Sequence, residues 1–159
     1  MTNPDSTDMV PVTIVGVAVA PGGKPDRRER FSIVLASAAD GDSRRLFIGV
    51  GDAEATALAF SLQGQEFPRP MTYQFMASLV AAAGSAVRSV RVTRIDREVF
   101  YAQVTLRGGA VVDARPSDAI NLAAITGAPV LVASDLLDLP VDPELRVLSG
   151  RRRHRRLCR

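Results

Sequence analysis

The chain holds one histidine, one cysteine, one lysine and no tryptophan. His154 and Cys158 stand together in an arginine run near the C-terminus, and Lys24 stands in the turn Pro21-Gly22-Gly23-Lys24-Pro25. The body of the chain therefore has no partners for an internal disulfide, a Cys/His zinc site, a Ser-His-Asp triad or a Cys-His pair. It also lacks a lysine for a Walker-type phosphate loop or for a Schiff base on a packed element. Long apolar runs are missing as well. The most apolar early stretch, Val10–Ala20, contains Pro11, Thr13 and Gly16 and is too short to span a bilayer. Met1–Asp8 is polar and acidic, without the apolar core behind a positive flank that a secretory signal needs. The expectation is a cytoplasmic protein that does not enter a membrane.

At 159 residues the chain has the length of about one domain. Its 47% hydrophobic and 23% charged residues are the mix of a soluble globular protein rather than a disordered or fibrous one. Its charge is unevenly placed. Arg151, Arg152, Arg153, Arg155, Arg156 and Arg159 supply six of the 20 basic side chains, which leaves 14 basic against 17 acidic in the rest. The positive formal charge thus belongs to the tail and the body is mildly acidic, so the basic balance is a weak sign of nucleic-acid binding by the fold.

Val10–Ala20, Phe31–Ala36 and Leu46–Val50 are β-branched or apolar runs bounded by Gly, Pro and charged turns, and read as strands. From Gly51-Asp52 the period changes: Ala55, Leu58, Ala59 and Leu62 recur at helical spacing as far as Gly64. A proline-rich link, Gln65–Pro70, separates this helix from a second, which Thr72 would cap and which carries Phe75, Met76, Leu79, Val80 and Ala83 on one face. Val87–Ile95 and Val99–Arg107 flank Asp96-Arg97-Glu98 as a hairpin with one wet face, and Ala110–Ala114 follows Gly108-Gly109 as a further strand. A third helix starts at Arg115-Pro116-Ser117 and ends at Gly127, and Pro129–Ala133 is a last strand. Ser134–Leu139 suits a short helix, and Asp142-Pro143-Glu144 is a further helix-start signal. This order is neither regular β-α alternation nor all-β, which predicts a compact α+β fold with about three main helices.

Asp113-Ala114-Arg115-Pro116-Ser117-Asp118-Ala119 gathers two carboxylates, a guanidinium and a hydroxyl at a strand-to-helix junction. Two readings are open there. In one, Arg115 and the helix N-terminus hold a phosphate, while Asp113 and Asp118 bind a divalent cation or position water for phosphodiester cleavage. In the other, Ser117 is the N-cap, Asp118 complements the helix dipole and Arg115 makes a structural ion pair. A second acidic junction, Gly49–Glu54, offers Asp52 as a cap and Glu54 in the first helical turn. If the two junctions meet, Glu54 and Asp118 are enough carboxylate for a magnesium site completed by water and substrate oxygens. Pro68-Arg69-Pro70 fixes Arg69 in an extended conformation, aimed at a phosphate or at an ion-pair partner.

Arg88, Arg91, Arg94 and Arg97 lie on or beside one strand. Alternation puts Arg88 and Arg94 on one face and Arg91 and Arg97 on the other, so a single basic stripe is not expected. The arginine tail has no interleaved aromatics and offers salt-dependent attraction to phosphates or a solvated end. With six Phe, two Tyr and no Trp, a stacked single-strand binder of the OB type is not favoured.

The run Asp113–Ile120, with Ile48-Gly49 before Glu54-Ala55, then Pro68-Arg69-Pro70-Met71-Thr72 and Phe100-Tyr101-Ala102, resembles the bifunctional nuclease (BFN) domain family over roughly Val12 to Leu137. The resemblance implies a small α+β roll with a mixed or antiparallel sheet, usually a homo-oligomer, that degrades RNA and DNA. On that basis a flexible N-terminus over 1–9 precedes a bifunctional-nuclease-like domain over 10–140 and a C-terminal extension over 141–159. Glu54, Arg69, Thr72, Asp113, Arg115, Ser117 and Asp118 match the family's characteristic polar positions. Applying chemistry to those positions gives Glu54, Asp113, Asp118 and Arg115 catalytic roles and Arg69, Thr72 and Ser117 substrate-binding ones. Glu54 and Asp118 are the candidates to hold Mg or Mn, since without a body His or Lys a carboxylate-bound cation is the simplest remaining way to activate water. The family usually reads Thr-His-Asp where this chain has Thr72-Tyr73-Gln74, and often has an Arg near Ile125. The expected function is a nuclease of low sequence specificity on RNA or DNA. The alternative is a non-catalytic nucleic-acid-binding or regulatory module that keeps the fold, and the two departures favour it.

Overall fold

The computed structural model describes residues 8–21 and 29–148. The expectations for the N-terminal segment up to Thr7, the Lys24 turn and the arginine tail with His154 and Cys158 fall outside the described residues. Among those described, the chain runs β1 (Met9–Ala20), β2 (Arg30–Ser37), β3 (Arg45–Val50), α1 (Asp52–Gln63), α2 (Thr72–Ala82), β4 (Val87–Asp96) and β5 (Val99–Leu106). It continues through β6 (Val111–Ala114), α3 (Pro116–Thr126), β7 (Val130–Ala133), a short 3-10 helix (Ser134–Asp138) and β8 (Arg146–Leu148). The strands form one sheet in the order β3-β2-β1-β7-β4-β5-β6, with β8 also paired to β1. Every pairing is antiparallel except β4 with β7. This is the α+β fold with a mixed sheet and three helices that the order of patterns predicts.

The long β1 serves two partners along one edge: Met9–Val12 pair with β7 and Val17–Val19 with β8. A bulge between Ile14 and Gly16 falls where the partner changes. The three helices pack against the sheet and one another. α1 lies over β1 and β2, α3 over β4 and β5, and α2 packs mainly on α3. Ile33, Leu35, Leu46, Leu58, Val90, Val92, Ile120, Val132 and Leu136 are fully buried between these layers. Each such side chain contributes about 1.5–3 kcal/mol by leaving water. α1 and α3 end where the sequence stops them, at Gly64 (φ 67°) and Gly127 (φ 72°), since both turns need a left-handed residue.

Three local expectations are corrected: the helix start at Asp142, the N-caps at Thr72 and Ser117, and the faces of the β4 arginines. Asp142-Pro143-Glu144 does not start a helix: Asp142 Oδ1 accepts the Glu144 N–H at 2.9 Å and Arg30 bridges both acids. That turn leads into β8, which the free edge of β1 takes up. Thr72 and Ser117 are not N-caps. Thr72 is the first residue of α2, behind Met71, and Ser117 is the second residue of α3, behind Arg115 and Pro116. The apolar stripe of α2 is only partly covered, because Met76 packs on the core while Phe75 and Leu79 remain 60% and 58% exposed. Finally, bulges at Arg88 and Thr93 shift the register of β4, so Arg91 opposes Gln103 and Arg94 opposes Tyr101. These two arginines share the face away from the helices, against the simple alternation. Arg94 stacks its guanidinium 3.5 Å from the Tyr101 ring centre.

Candidate functional site

The N-termini of α1 and α3 converge, so the two acidic junctions meet. Glu54 is the third residue of α1 and Asp118 the third of α3, positions where a carboxylate faces free backbone N–H groups and the positive end of the dipole. Arg115 joins them. Its Nε donates to Asp118 Oδ2 at 2.6 Å and its Nη2 to Asp118 Oδ1 at 2.9 Å, a two-pronged pairing that fixes the guanidinium plane. The same Nη2 reaches Glu54 Oε1 at 3.2 Å. These contacts, with the hydrogen bonds to Asp118 foremost, hold the Arg115 guanidinium charged well beyond its ordinary range.

Tyr73, the buried residue of α2, donates its hydroxyl to Asp118 Oδ1 at 2.9 Å. Burial, reinforced by that hydrogen bond to a carboxylate, pushes the phenol well above its usual value of 10.0, so it stays a neutral donor. Asp118 thus accepts three hydrogen bonds, whereas Glu54 accepts one, on Oε1. Glu54 Oε2 takes none among the described residues. It lies so close to Gly51 that a Cβ there would come within 2.6 Å of it, so any side chain at 51 would displace the carboxylate.

Asn121 locks the two helix starts together. Fully buried, it donates Nδ2 to the Glu54 carbonyl at 3.1 Å and to the Ser117 carbonyl at 3.0 Å. Its Oδ1 is buried without a partner among the described residues. The sequence reading passed over Asn121 and noted Tyr73 only as a departure. The available signal for Asn121 was its place as the lone amide among Ala119, Ile120, Leu122 and Ala123. Nothing in the sequence pairs Tyr73 with Asp118.

Glu54, Arg115, Asp118 and Tyr73 form one wall of a cavity of about 320 Å³. Thr72 and Gln74 at the start of α2, Phe60 and Ser61 of α1, and Phe67 and Met71 of the link complete it. Gln74 fixes this start of α2, its Oε1 accepting the Met71 N–H at 3.1 Å. Behind the Arg115–Asp118 pair lies a more apolar groove of about 500 Å³ between Met76 and Val80 of α2, Leu122 of α3, and β5 and β6.

Three of the expected site residues stand apart. Asp113 opposes Gln103 on β6, which places it on the sheet face away from the helices, and it makes no ion pair among the described residues. Ser117 is 8% exposed and turned into the packing of α3 rather than toward the cavity. Arg69 is exposed on the link, two residues past Phe67, outside the cavity wall. Thr72 does line the cavity. For a divalent cation the donor set is uneven. Among the described residues no three His, Cys, Asp or Glu side chains gather at one point. The Arg115 guanidinium already bridges Glu54 and Asp118, so Glu54 Oε2 is the carboxylate oxygen that fits such an ion and Asp118 is not. Among the described residues no helix is long and apolar enough to cross a membrane.

An uncharacterized protein of Mycobacterium tuberculosis is 35% identical over 126 residues, covering 79% of this chain and 73% of that protein. Bifunctional nuclease 1 of Arabidopsis thaliana is 35% identical over 117 residues, 70% of this chain and 36% of that protein. The bifunctional nuclease of Oryza minuta is 30% identical over 113 residues, 67% of this chain and 34% of that protein. This chain therefore spans about a third of the length of these plant relatives. The bifunctional nuclease domain matches residues 33–140, from β2 to the end of the 3-10 helix and the residues just after it. That match takes in both helix starts and the Arg115 bridge between them, and by it the chain belongs to the bifunctional nuclease domain family.

Proposed function

We propose that the protein is a phosphodiesterase of low sequence specificity acting on RNA or DNA, with its centre at Glu54, Arg115, Asp118 and Tyr73. The observation that carries this reading is the unequal loading of the two acids. Asp118 accepts three hydrogen bonds from Tyr73 and Arg115 and serves to position the guanidinium. Glu54, which lines the cavity and whose Oε2 accepts no hydrogen bond among the described residues, is the group to take a proton from attacking water or to hold a divalent cation. Such a cation, when bound, lowers the pKa of a bound water. Arg115 presents its exposed edge to a phosphate and Thr72 lines the same cavity, while Arg69 lies outside the cavity on the exposed link. Asp113 and Ser117 have no part in this centre. Self-association fits the exposed Phe75 and Leu79 of α2.

The second reading, a binding module without catalysis, draws support from the Arg115 guanidinium lying between the two carboxylates and from Tyr73 and Gln74 at the family's His-Asp positions. Cleavage of single-stranded RNA and double-stranded DNA with magnesium, manganese or chelator separates the two. Glu54→Gln should lower turnover about 100-fold or more while leaving the unfolding midpoint nearly unchanged. Asp118→Asn should cost less in turnover than Glu54→Gln, because its role is indirect. Cleavage untouched by Glu54→Gln removes Glu54 from the chemistry. No cleavage by the wild-type chain with any metal leaves the binding module.

A further inference from the structure

The cavity has a side that the cleavage chemistry does not use. In the same cavity, Phe60 of α1 and Phe67 of the link meet edge to face, ring centres 5.4 Å apart at 66°. Phe60 is 37% exposed and both rings line the cavity. With Tyr73 on the charged wall, three of the eight Phe and Tyr rings in the chain gather at this one place. Aromatic residues are too scarce for a stacking platform along the sheet, but they are concentrated where a reacting phosphate would sit.

We propose that this aromatic corner is a pocket for one unpaired nucleobase, so that the site takes single-stranded rather than duplex nucleic acid. The proposal rests on the nuclease reading and specifies its substrate. A volume of about 320 Å³ stands at the small end of the roughly 300–1,000 Å³ range of ligand pockets, enough for a base with its sugar but not for a stacked pair. A base in a duplex has both faces covered and its edge paired, so only an unstacked base can lay a face on Phe60. The polar groups suit a base of any identity. The Thr72 hydroxyl both donates and accepts, and the Gln74 amide NH₂ donates no hydrogen bond among the described residues, while its Oε1 is taken by Met71. Arg115 lines the same cavity and can meet the attached phosphate. Arg69 follows Phe67 by two residues on the same link, placed for the next phosphate along the strand.

The absence of native tryptophan makes the test direct. Phe60→Trp places a single fluorophore in the corner of the full-length protein, and Phe60→Ala removes the ring at a position exposed enough to tolerate it. A fluorescein-labelled oligonucleotide of about 12 nucleotides, within the usual range of single-strand sites, and its duplex are titrated in chelator and at high salt. High salt suppresses the contribution of the arginine tail. The single strand should quench the tryptophan of Phe60→Trp and the duplex should not, and Phe60→Ala should weaken single-strand binding about tenfold or more. Binding of the single strand without quenching, or equal quenching by the duplex, overturns the base pocket and leaves the nuclease reading standing. If neither strand binds the wild-type protein while magnesium-supported cleavage is also absent, the nuclease reading falls and the pocket with it.

Discussion

Tyr73 departs from the family pattern and yet belongs to the cluster. A phenol held neutral by burial and by Asp118 makes a stability contribution that is complete below its ordinary value of 10.0. That contribution drains away as pH rises from there through the higher folded-state value, because the unfolded chain ionises first. Urea unfolding at pH 8 and at about pH 11 should therefore show a larger alkaline loss in the wild type than in Tyr73→Phe; equal losses in the two proteins would mean that Tyr73 carries no such linkage. How much of the site was legible follows from the same residues. Glu54, Asp118 and Arg115 announce themselves because acids in a first helical turn and an Arg before Pro are local signals. Their meeting was not legible, since Glu54 and Arg115 are 61 residues apart and only the packing of α1 on α3 brings them together. Asp113 misled for the opposite reason. Five residues from Asp118 in sequence, it is turned to the other face by the two-residue period of β6.

The β4–β5 hairpin turns on two residues, Arg97 (φ 47°) and Glu98 (φ 67°), both left-handed and neither glycine. Such a two-residue turn favours Asn-Gly, since each ordinary side chain there is strained by about 1–2 kcal/mol. Glu98→Gly should stabilise the protein by about 0.5–1 kcal/mol, read as a rise of roughly 1–4 °C in the melting midpoint. A lower midpoint would show that Glu98 makes a contact worth more than the strain. The strands and helices themselves were readable because Gly64, Gly127 and the Pro68–Pro70 link punctuate clear changes of period. The bulges at Val15, Arg88 and Thr93 were not, because an extra residue leaves the composition of a strand unchanged and shows only in its register. Three-residue β8 is too short to have a period, and its pairing depends on an edge of β1 that lies more than 120 residues earlier in the chain. Periodicity likewise found the apolar stripe of α2 without revealing that only part of it has a partner.

Across the whole molecule charge is unevenly distributed along the chain: six arginines follow Gly150, and the preceding chain carries more acid than base. Attraction to nucleic acid at low salt should therefore belong largely to the tail. A chain ending at Ser149 should bind more weakly, with a slope of log affinity against log salt shallower by up to about 5 if all six arginines meet phosphates. A slope unchanged by the truncation would move the electrostatic contact onto the sheet, where Arg91 and Arg94 share a face. The sheet has another asymmetry. Among the described residues it ends at β6, a four-residue strand whose outer backbone groups face no neighbour and whose Val111 and Val112 are 56% and 49% exposed. Such an edge invites a second molecule to zip onto it, the first step toward a fibre. Asp113 is the one charge on β6, and two edges brought together would crowd a pair of like carboxylates along a single short seam. An acid turned away from the candidate site thus suits a gatekeeper against aggregation.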